Sequence, residues 1–578
     1  MNWLRRLDHR IILGFLLLVG FALRFHGIDK FGIAGDEKFS LFVSQFVTLE
    51  GNNQRDSVRK PDSPYFTAKE FWSEKDIDDF YDAIARIDTG NGAFFKYLLH
   101  WWTKIFGLSD LSLRFISLLF GVGLIFLTYR FTSVHFEDLQ LALIVASLVT
   151  FSPLLISFSQ VARNYSMLFF FALLSTHYFL SLLKALAKAQ SWWLYALAYA
   201  LTAAVCVLNH ISSFTLFFFH FCFLLIYYRN LKSLLAFSLT MVLPVLAAAA
   251  WLLSPGGRYM FEYVGHSVDT YNQMAENNPY EFLSTATPSH ILLQLRHVLA
   301  NMFINIDGFY TMVDGKKLGI AALFAFVLAG FIYNGKLKTK FKHVLAVLLF
   351  SGITLLGFQN GPAVGIFTLN LGFLLLGSYL YITKQGFFAS QNFTLIGIIS
   401  TLPLLFLILF SLKDGNTFRI HTRYAAYAYV FCLLYVAIVY RYILGLNRSW
   451  TIWLKLAIAG QALLILVLIA QIYQDTQPRY FSEYTEPRTA NPYNSLAEKI
   501  VEMAAPSDTV VYPSLTTYDH GQAMASVVDA QLTNFYLPKD NELWQRIDKN
   551  EPNKVYLYHA DGRKTLLFDF MGEKYRFP

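Results

Sequence analysis

Long apolar runs alternate with short polar connections over most of this chain. A helix that crosses the hydrocarbon of a membrane needs about 20 mostly apolar residues, and about thirteen runs fit that length. Their centres are Leu17, Leu119, Val145, Leu173, Ala200, Phe219, Val242, Ala325, Leu348, Leu371, Leu405, Leu433 and Ile465. The pattern therefore predicts a polytopic α-helical membrane protein with about 13 transmembrane helices over residues 1–473.

Three polar regions are long enough to carry structure of their own: residues 27–108, 254–317 and the tail 474–578. In the first, an aromatic run from Phe94 to Phe106 predicts a juxtamembrane helix, with Trp101 and Trp102 as interfacial anchors. In the tail, helical spacing covers 495–504, and strand patterns cover 509–512, 532–537 and 554–559. Such alternation predicts a small C-terminal α/β domain.

The positions of the charged residues predict the orientation of the chain in the membrane. Only 15% of the residues are charged and 55% are hydrophobic, whereas soluble domains have about 25% charged residues. The net charge of +8 does not indicate a nucleic-acid partner, because the basic residues cluster at the N-terminus and in every second connection. They are Arg5, Arg6, Arg10, Lys184, Lys188, Arg229, Lys232, Lys336, Lys338, Lys340, Lys342, Lys384, Arg441 and Arg448. Since cytoplasmic connections are the basic ones, we expect a cytoplasmic N-terminus and an external, periplasmic tail.

An acidic pair directly follows the first apolar run, in Gly35-Asp36-Glu37-Lys38. Ionisable residues at such a depth are candidate functional groups. The predicted topology brings further polar residues to the same side: Gln160, Arg163, Tyr165, Asn209, His210, Arg419, His421, Arg423 and Tyr424. Cations can hold a phosphate leaving group while a carboxylate deprotonates an incoming hydroxyl. This combination indicates transfer of a group from a phosphate carrier.

Each of these residues also has a structural interpretation. The acidic pair could lie in a solvated turn. Arg163 could bury the aliphatic part of its side chain and extend its guanidinium to the membrane interface. His210 could cap a helix end, and Arg423 could anchor a helix at the membrane surface. Position alone leaves both interpretations open.

Four stretches together resemble one enzyme superfamily. They are Arg24 to Glu37, Asn91 to Arg114, Ser152-Pro153 with 159–165, and Arg423-Tyr424. Their order and spacing are similar to the membrane portion of polyprenyl-phosphate-sugar-dependent, C-type glycosyltransferases, which include protein O-mannosyltransferases and the lipid A aminoarabinose transferase. The resemblance implies a dozen or more membrane helices, juxtamembrane helices in the first external loop, and a cavity open towards the periplasm.

The resemblance also implies roles for individual residues. Asp36 would be the catalytic carboxylate, and Glu37 would either support the site or bind an acceptor or ion. The donor phosphate would be bound by Lys38, Lys96, Arg163, His210 and Arg423, and donor or acceptor by Gln160, Tyr165, Asn209 and Tyr424. Either no cofactor or a divalent cation at the acidic pair is expected. One departure is Phe39, which stands where the aminoarabinose transferases have an arginine.

These inferences predict a membrane glycosyltransferase of the bacterial inner membrane. It would transfer a monosaccharide from a polyprenyl (undecaprenyl) phosphate carrier to an acceptor at the periplasmic face, with inversion. The acceptor could be lipid A or another glycolipid, a protein or a polysaccharide. The alternatives from other classes are a lipid-linked sugar transporter or flippase, and a non-catalytic glycolipid-binding membrane protein.

Overall fold

The computed structural model describes most of the chain. The described residues are 8–30, 32–33, 35–49, 67–86, 92–277, 279, 283–304, 315–333, 337–356, 361–386, 388, 390–446, 451–473, 490–519, 522–548 and 550–571. The predictions that concern Arg5, Arg6, Asn91, Lys336 and Arg448 lie outside these residues.

Twenty-two α-helices and six strands make up the described part of the chain. The first ten helices are α1 (His9–Phe25), α2 (Gly35–Ser44), α3 (Ala68–Phe71), α4 (Ile77–Arg86), α5 (Ala93–Phe106), α6 (Asp110–His135), α7 (Leu139–Thr150), α8 (Pro153–Ser159), α9 (Tyr165–Ala187) and α10 (Trp193–Asn209). The next ten are α11 (Phe214–Tyr227), α12 (Leu231–Leu253), α13 (Pro255–Asn277), α14 (Pro288–Leu299), α15 (Gly315–Tyr333), α16 (Thr339–Leu356), α17 (Gly361–Gln385), α18 (Gln391–Asp414), α19 (Tyr429–Leu446) and α20 (Thr451–Tyr473). The tail holds α21 (Pro492–Met503) and α22 (Val528–Asn534). Two short 3-10 helices matter for the site, Ile211–Ser213 and Thr422–Ala428.

The predicted membrane helices are confirmed as helices, since each of the thirteen predicted centres lies in one. Among the described residues, six helices are long and apolar enough to cross a membrane, and a bent pair brings the number to seven. Four further apolar helical stretches of 10–17 residues lie in α10, α11, α15 and α20, counted over the described residues alone. The fold is therefore a helical membrane bundle.

The bent pair joins α7 to α8 at an angle of 59°. Ser152 caps α8 and Pro153 opens it, so the hydrogen-bond ladder of α7 ends at this point and leaves carbonyls without helical partners. The buried guanidinium of Arg24 on α1 donates to two of them, Val149 O at 2.9 Å and Thr150 O at 3.2 Å. The C-terminal ends of α1 and α7 thus lie side by side, at what we call the Asp36 end of the bundle.

Close packing around Arg24 depends on a glycine of α6. A Cβ at Gly121 would lie 2.1 Å from Ser159 Oγ and 3.2 Å from Arg24 Nε. We expect Gly121→Ala to lower the free energy of unfolding by about 1–3 kcal/mol, as overpacking does, measured by thermal unfolding in detergent. Gly14→Ala is the control, because a Cβ there meets nothing within 4 Å. Equal stability of the two variants would contradict this packing.

The helix predicted from 94–106 is confirmed as α5, and its juxtamembrane location stays a prediction. Its outward face carries Tyr97, Trp101, Ile105 and Phe106, all exposed, as an interfacial helix requires. Trp102 instead turns inward, and its indole N–H donates to Ser112 O at 3.0 Å. The two tryptophans therefore have different surroundings, and Trp101 is the one exposed for the anchoring role.

The tail folds as a small α/β unit. Its sheet has the order β4-β1-β5-β6, formed by β1 (Thr509–Pro513), β4 (Trp544–Asp548), β5 (Lys554–Tyr558) and β6 (Lys564–Asp569). β1 pairs with β4 in parallel and with β5 antiparallel, and β5 pairs antiparallel with β6. A separate hairpin is formed by β2 (Leu515–Asp519) and β3 (Gln522–Ser526). The predicted α/β character is confirmed.

Individual elements of the tail were predicted with mixed success. The helix at 495–504 and the strands at 509–512 and 554–559 are confirmed as α21, β1 and β5. The strand predicted at 532–537 is wrong, because this segment contains the end of α22. Val528, Leu532 and Phe535 are all buried, and their spacing of four and then three residues is that of a helix face.

The tail shares one hydrophobic core with the segment between α1 and α6. A single cluster of buried residues contains side chains of α2, α4 and α5 together with side chains of α21, α22 and the sheet. Phe42 of α2 and Phe71 of α3 both pack edge-on against Phe535, with ring centroids 5.3 and 5.0 Å away. The tail is therefore packed against the segment that carries the acidic pair.

Candidate active site

The two adjacent carboxylates of α2 have opposite environments. Both lie in the first turn of this helix, where negative charge is favourable. Successive helical residues point about 100° apart, so the two side chains leave the helix in different directions. The Glu37 side chain is 0% exposed, whereas that of Asp36 is 33% exposed. Asp36 is thus the member of the pair that a substrate can reach.

Glu37 forms a buried ion pair with Arg114 of α6. The guanidinium donates from Nε to Oε1 at 2.8 Å and from Nη2 to Oε2 at 2.9 Å. Arg114 also donates to the carbonyls of Ile28 and Gly32, and Ala162 N donates to Glu37 Oε1 at 2.7 Å. Of the two roles that the sequence left open for Glu37, support of the site agrees with these contacts.

A cation lies directly beside Asp36. Arg163, in the connection between α8 and α9, donates from Nη1 to the backbone carbonyl of Asp36 at 3.1 Å. Its Nη2 is 3.8 Å from Asp36 Oδ2. The guanidinium is only 7% exposed, so its interactions with charge are screened less than those of a surface arginine. The predicted pairing of a carboxylate with a phosphate-binding cation therefore has the required proximity.

Two asparagines tie this connection to the turn after α10. Asn164 Nδ2 donates to Asn209 O at 2.6 Å, and Asn209 Nδ2 donates to Asn164 O at 2.9 Å. The next residue, His210, is buried, and its Nδ1 accepts from Ser212 N at 3.3 Å. A neutral ring whose Nδ1 accepts carries its proton on Nε2. His210 thus caps the 3-10 helix with one nitrogen and is a hydrogen-bond donor through the other.

Gly92 allows α5 to approach the same connection. It is the residue directly before α5 and has φ +69°, a conformation that glycine adopts without steric cost. A Cβ at this position would lie 3.1 Å from Asn164 Nδ2. The juxtamembrane helix is therefore packed against the segment that carries Arg163.

The 3-10 helix Thr422–Ala428 supplies a second arginine. It packs against α9 and the 3-10 helix Ile211–Ser213, and Tyr427 OH accepts from Thr215 Oγ1 at 2.5 Å. The Arg423 guanidinium lies over the rings of Phe418 and Tyr424, 5.4 and 5.2 Å from their centroids. The fold thus brings Arg423 and Tyr424 to the His210 side of the site, while their ligand roles stay predictions.

The remaining predicted ligands have structural contacts of their own. Gln160 Nε2 donates to the carbonyls of Arg24 at 3.2 Å and His26 at 3.0 Å, at the C-terminal end of α1. Tyr165 is buried, with its ring 4.7 Å from that of Phe158. These contacts account for both residues as parts of the scaffold, and their ligand roles stay predictions.

Lys38 and Lys96 are both 1% exposed. Lys38 lies 5.6 Å from the centroid of the Tyr493 ring, so it contacts the tail. Lys96 is buried within α5. The assignments of Lys38 and Lys96 as phosphate ligands also stay predictions.

The tail holds the Asp36 helix through polar contacts as well as through the shared core. Gln531 Nε2 donates to Thr48 O at 3.0 Å, just beyond α2. Asp110, the first residue of α6, accepts from Tyr536 OH at 2.6 Å and from Asn491 Nδ2 at 3.0 Å. These bonds fix the tail to both the loop and the bundle.

Sequence reasoning missed the importance of Arg24, Arg114 and Asn164. A charged residue inside or at the end of an apolar run indicates a buried partner or a functional group, and both arginines fit that description. For Asn164 the sequence carries no such signal, because its role depends on a turn 45 residues away.

The acidic pair does not fit a two-carboxylate metal site. Glu37 Oε1 accepts from Arg114 and from Ala162, and Oε2 accepts from Arg114. A divalent cation at these oxygens would have to displace a buried guanidinium. Over the part of the chain that the structure describes, no group of three His, Cys, Asp or Glu side chains could hold a metal ion. We therefore assign no step to a metal.

Comparison with known proteins gives structural neighbours alone, since no protein-family model and no curated protein matches the chain significantly. The Archaeoglobus fulgidus oligosaccharyltransferase in complex with Zn and sulfate is 15% identical, with a TM-score of 0.45 over 92% of this chain and 62% of that one. The same organism's AglB with an inhibitory peptide and a dolichol-phosphate is 14% identical, with a TM-score of 0.45 over 93% and 61%. ArnT from Cupriavidus metallidurans bound to undecaprenyl phosphate is 11% identical, with a TM-score of 0.35 over 93% and 85%.

This chain thus spans about 62% of the length of the archaeal enzyme. These neighbours are named as an oligosaccharyltransferase and ArnT, and the family resemblance stated from the sequence stays a prediction.

Proposed function

We propose that the protein is a membrane glycosyltransferase that moves a monosaccharide from a polyprenyl phosphate carrier to an acceptor hydroxyl at the Asp36 end of the bundle. The observation that carries the proposal is the contrast within the acidic pair. Glu37 is locked in a buried ion pair, whereas Asp36 is accessible and has the Arg163 guanidinium 3.8 Å away. A reachable carboxylate beside a buried cation suits deprotonation of an acceptor next to a leaving phosphate.

The reaction is a single displacement. Asp36 takes the proton of the acceptor hydroxyl as its oxygen attacks the anomeric carbon. The bond from that carbon to the phosphate oxygen breaks, and polyprenyl phosphate leaves with one more negative charge than it had in the donor. Arg163, the Nε2–H of His210 and Arg423 stabilise that developing charge. Phosphate is already a good leaving group, so the second, protonated carboxylic acid of hydrolases is not required.

The buried Glu37–Arg114 pair supports this reaction by holding α2. The same two side chains also form hydrogen bonds with the backbone of Ile28, Gly32 and Ala162. The acidic helix, the first loop and the connection that carries Arg163 are therefore fixed relative to one another. Catalytic groups must be held within about 0.5 Å of their productive geometry. We therefore place Glu37 among the positioning residues.

The partners follow from the same chemistry. The donor is a polyprenyl-phosphate-linked sugar, undecaprenyl phosphate being the bacterial carrier, with its chain in an apolar groove between helices. The acceptor is a glycolipid, a protein or a polysaccharide at the periplasmic face of a bacterial inner membrane. The tail packs against the Asp36 helix, so it is the segment best placed to influence acceptor choice.

The experiment is a transfer assay with purified protein in detergent or in proteoliposomes. Radiolabelled polyprenyl-phosphate sugars and candidate acceptors are incubated with and without a chelator, and the anomeric configuration of the product is determined by NMR. We expect transfer with inversion that persists in the chelator. Donor binding without cleavage would favour the glycolipid-binding alternative, and movement of intact donor across the bilayer would favour the flippase.

Replacing Arg163 tests the phosphate-binding part of the proposal. Charge-assisted hydrogen bonds contribute about 1.5–3 kcal/mol, so we expect Arg163→Gln to lower kcat/KM for the donor by roughly 10- to 100-fold. Arg163→Lys should recover part of the loss, because the positive charge is kept. The recovery should be incomplete, because lysine lacks the planar, forked guanidinium. Arg258→Gln is the control, since Arg258 is exposed. Unchanged kcat/KM in Arg163→Gln would rule out this role.

A further inference from the structure

A basic groove lies at the opposite end of the bundle from Asp36. It has a volume of about 510 Å³ and is bordered by the first turns of α1, the last turns of α6 and the start of α7. Ligand pockets typically have volumes of about 300–1,000 Å³. Since α1 has 17 residues and rises about 1.5 Å per residue, roughly a full helix length separates the groove from the candidate active site.

The polar part of the groove is positively charged. Arg10 and Arg130 are both exposed and line it from two different helices. Tyr129 lines the same groove. Of the nearby acidic residues, Asp8 accepts from the backbone of Arg10 and lies 3.3 Å from His9 Nδ1, and Asp138, next to the groove residue Leu139, pairs with Arg441. Among the described residues, neither arginine has a carboxylate within ion-pair distance.

The rest of the groove is apolar and opens sideways. Leu13 is buried at its floor, whereas Phe126 and Leu139 are 51% and 45% exposed on the outside of the bundle. In a membrane helix such exposed apolar side chains face acyl chains. The groove therefore joins a cationic rim to a wall that faces hydrocarbon.

We propose that this groove binds an anionic phospholipid. Its phosphate would lie between Arg10 and Arg130, with the Tyr129 hydroxyl as a further donor, and an acyl chain would follow the wall of Leu13, Phe126 and Leu139. Basic pockets between membrane helices bind anionic headgroups in this way. A free phosphate would make no contact with the apolar wall, and a zwitterionic headgroup would bring a third positive charge next to the two arginines.

The test uses the delipidated full-length protein in detergent. Phosphatidylglycerol, phosphatidylcholine with the same acyl chains, and inorganic phosphate are each titrated while thermal unfolding and native mass spectra are recorded. We expect phosphatidylglycerol alone to raise the unfolding temperature and to give a retained 1:1 adduct.

The variant Arg10→Gln/Arg130→Gln should lower the apparent affinity for phosphatidylglycerol about 30-fold, or roughly fivefold for each arginine. Arg229→Gln is the control, because Arg229 is exposed and does not line the groove, and it should keep the wild-type affinity. Equal effects of phosphatidylcholine, an effect of inorganic phosphate alone, or full affinity in the double variant would each overturn the proposal. None of these readouts depends on transferase activity.

Discussion

Asp36→Asn is expected to lower the rate of sugar transfer by about 10²- to 10⁴-fold, the contribution of a positioned base. The amide has nearly the same shape as the carboxylate but cannot take the acceptor proton. Donor affinity should stay within a few fold of wild type, because the cations that hold the phosphate are unchanged. Single-turnover transfer and equilibrium binding of the labelled donor measure the two effects separately.

The matched control for this variant is Asp29→Asn. Asp29 is exposed and lies in the segment between α1 and α2, so it undergoes the same chemical change seven residues away. It should transfer at the wild-type rate. A near-normal rate in Asp36→Asn, or an equal loss in both variants, would contradict the assignment of Asp36 as the base.

Glu37→Gln is expected to act on stability instead. Removal of one partner of a buried ion pair leaves the other charge uncompensated and costs about 3–5 kcal/mol, and Arg114 is fully buried. We expect a corresponding fall in the free energy of unfolding, measured by thermal or denaturant unfolding in detergent. Any loss of activity should be proportional to the loss of folded protein. We also expect α2 to be displaced.

Two further variants make this prediction specific. In Glu37→Gln/Arg114→Gln the destabilisation should be smaller than the sum of the two single effects, because the unpaired charge is gone. Glu276→Gln changes an exposed glutamate of α13 and should leave stability unchanged. Additive effects in the double variant would mean that the ion pair does not couple α2 to α6.

The helical bundle could be predicted because the membrane imposes its length on the sequence. Each hydrocarbon crossing requires a long apolar run, and every predicted centre lies in a helix. The break between α7 and α8 was not predicted, although Ser152-Pro153 carries a signal for it, since proline cannot continue the ladder of hydrogen bonds. The angle of 59° and the capping by Arg24 depend on neighbouring helices and could not be predicted locally.

The site residues remain predictions, and their individual contacts could not be predicted from the sequence. Asp36 and Glu37 are adjacent in the sequence and chemically alike, and only the partner 77 residues away distinguishes them. Lys38 likewise appears beside the acidic pair in the sequence, yet it contacts Tyr493 of the tail. Contacts over such separations depend on tertiary packing, which periodicity does not reveal.

The sequence pattern also could not predict that the first loop and the tail share a core. Amphipathic helices and short strands in each region indicate that an apolar face is buried. The pattern does not show which segment covers that face. In the structure, α2 and α3 bury theirs partly against Phe535. The tail is consequently expected to affect the Asp36 helix as well as any acceptor.

The most direct test of the central claim is the stoichiometry of donor cleavage in one turnover. Wild-type protein loaded with a labelled polyprenyl-phosphate sugar and mixed with acceptor should release one polyprenyl phosphate for each sugar transferred. Asp36→Asn should bind the same donor and release neither product on that timescale. Wild-type protein that binds every such donor without cleaving it, or an Asp36→Asn variant that cleaves at the wild-type rate, would contradict the account.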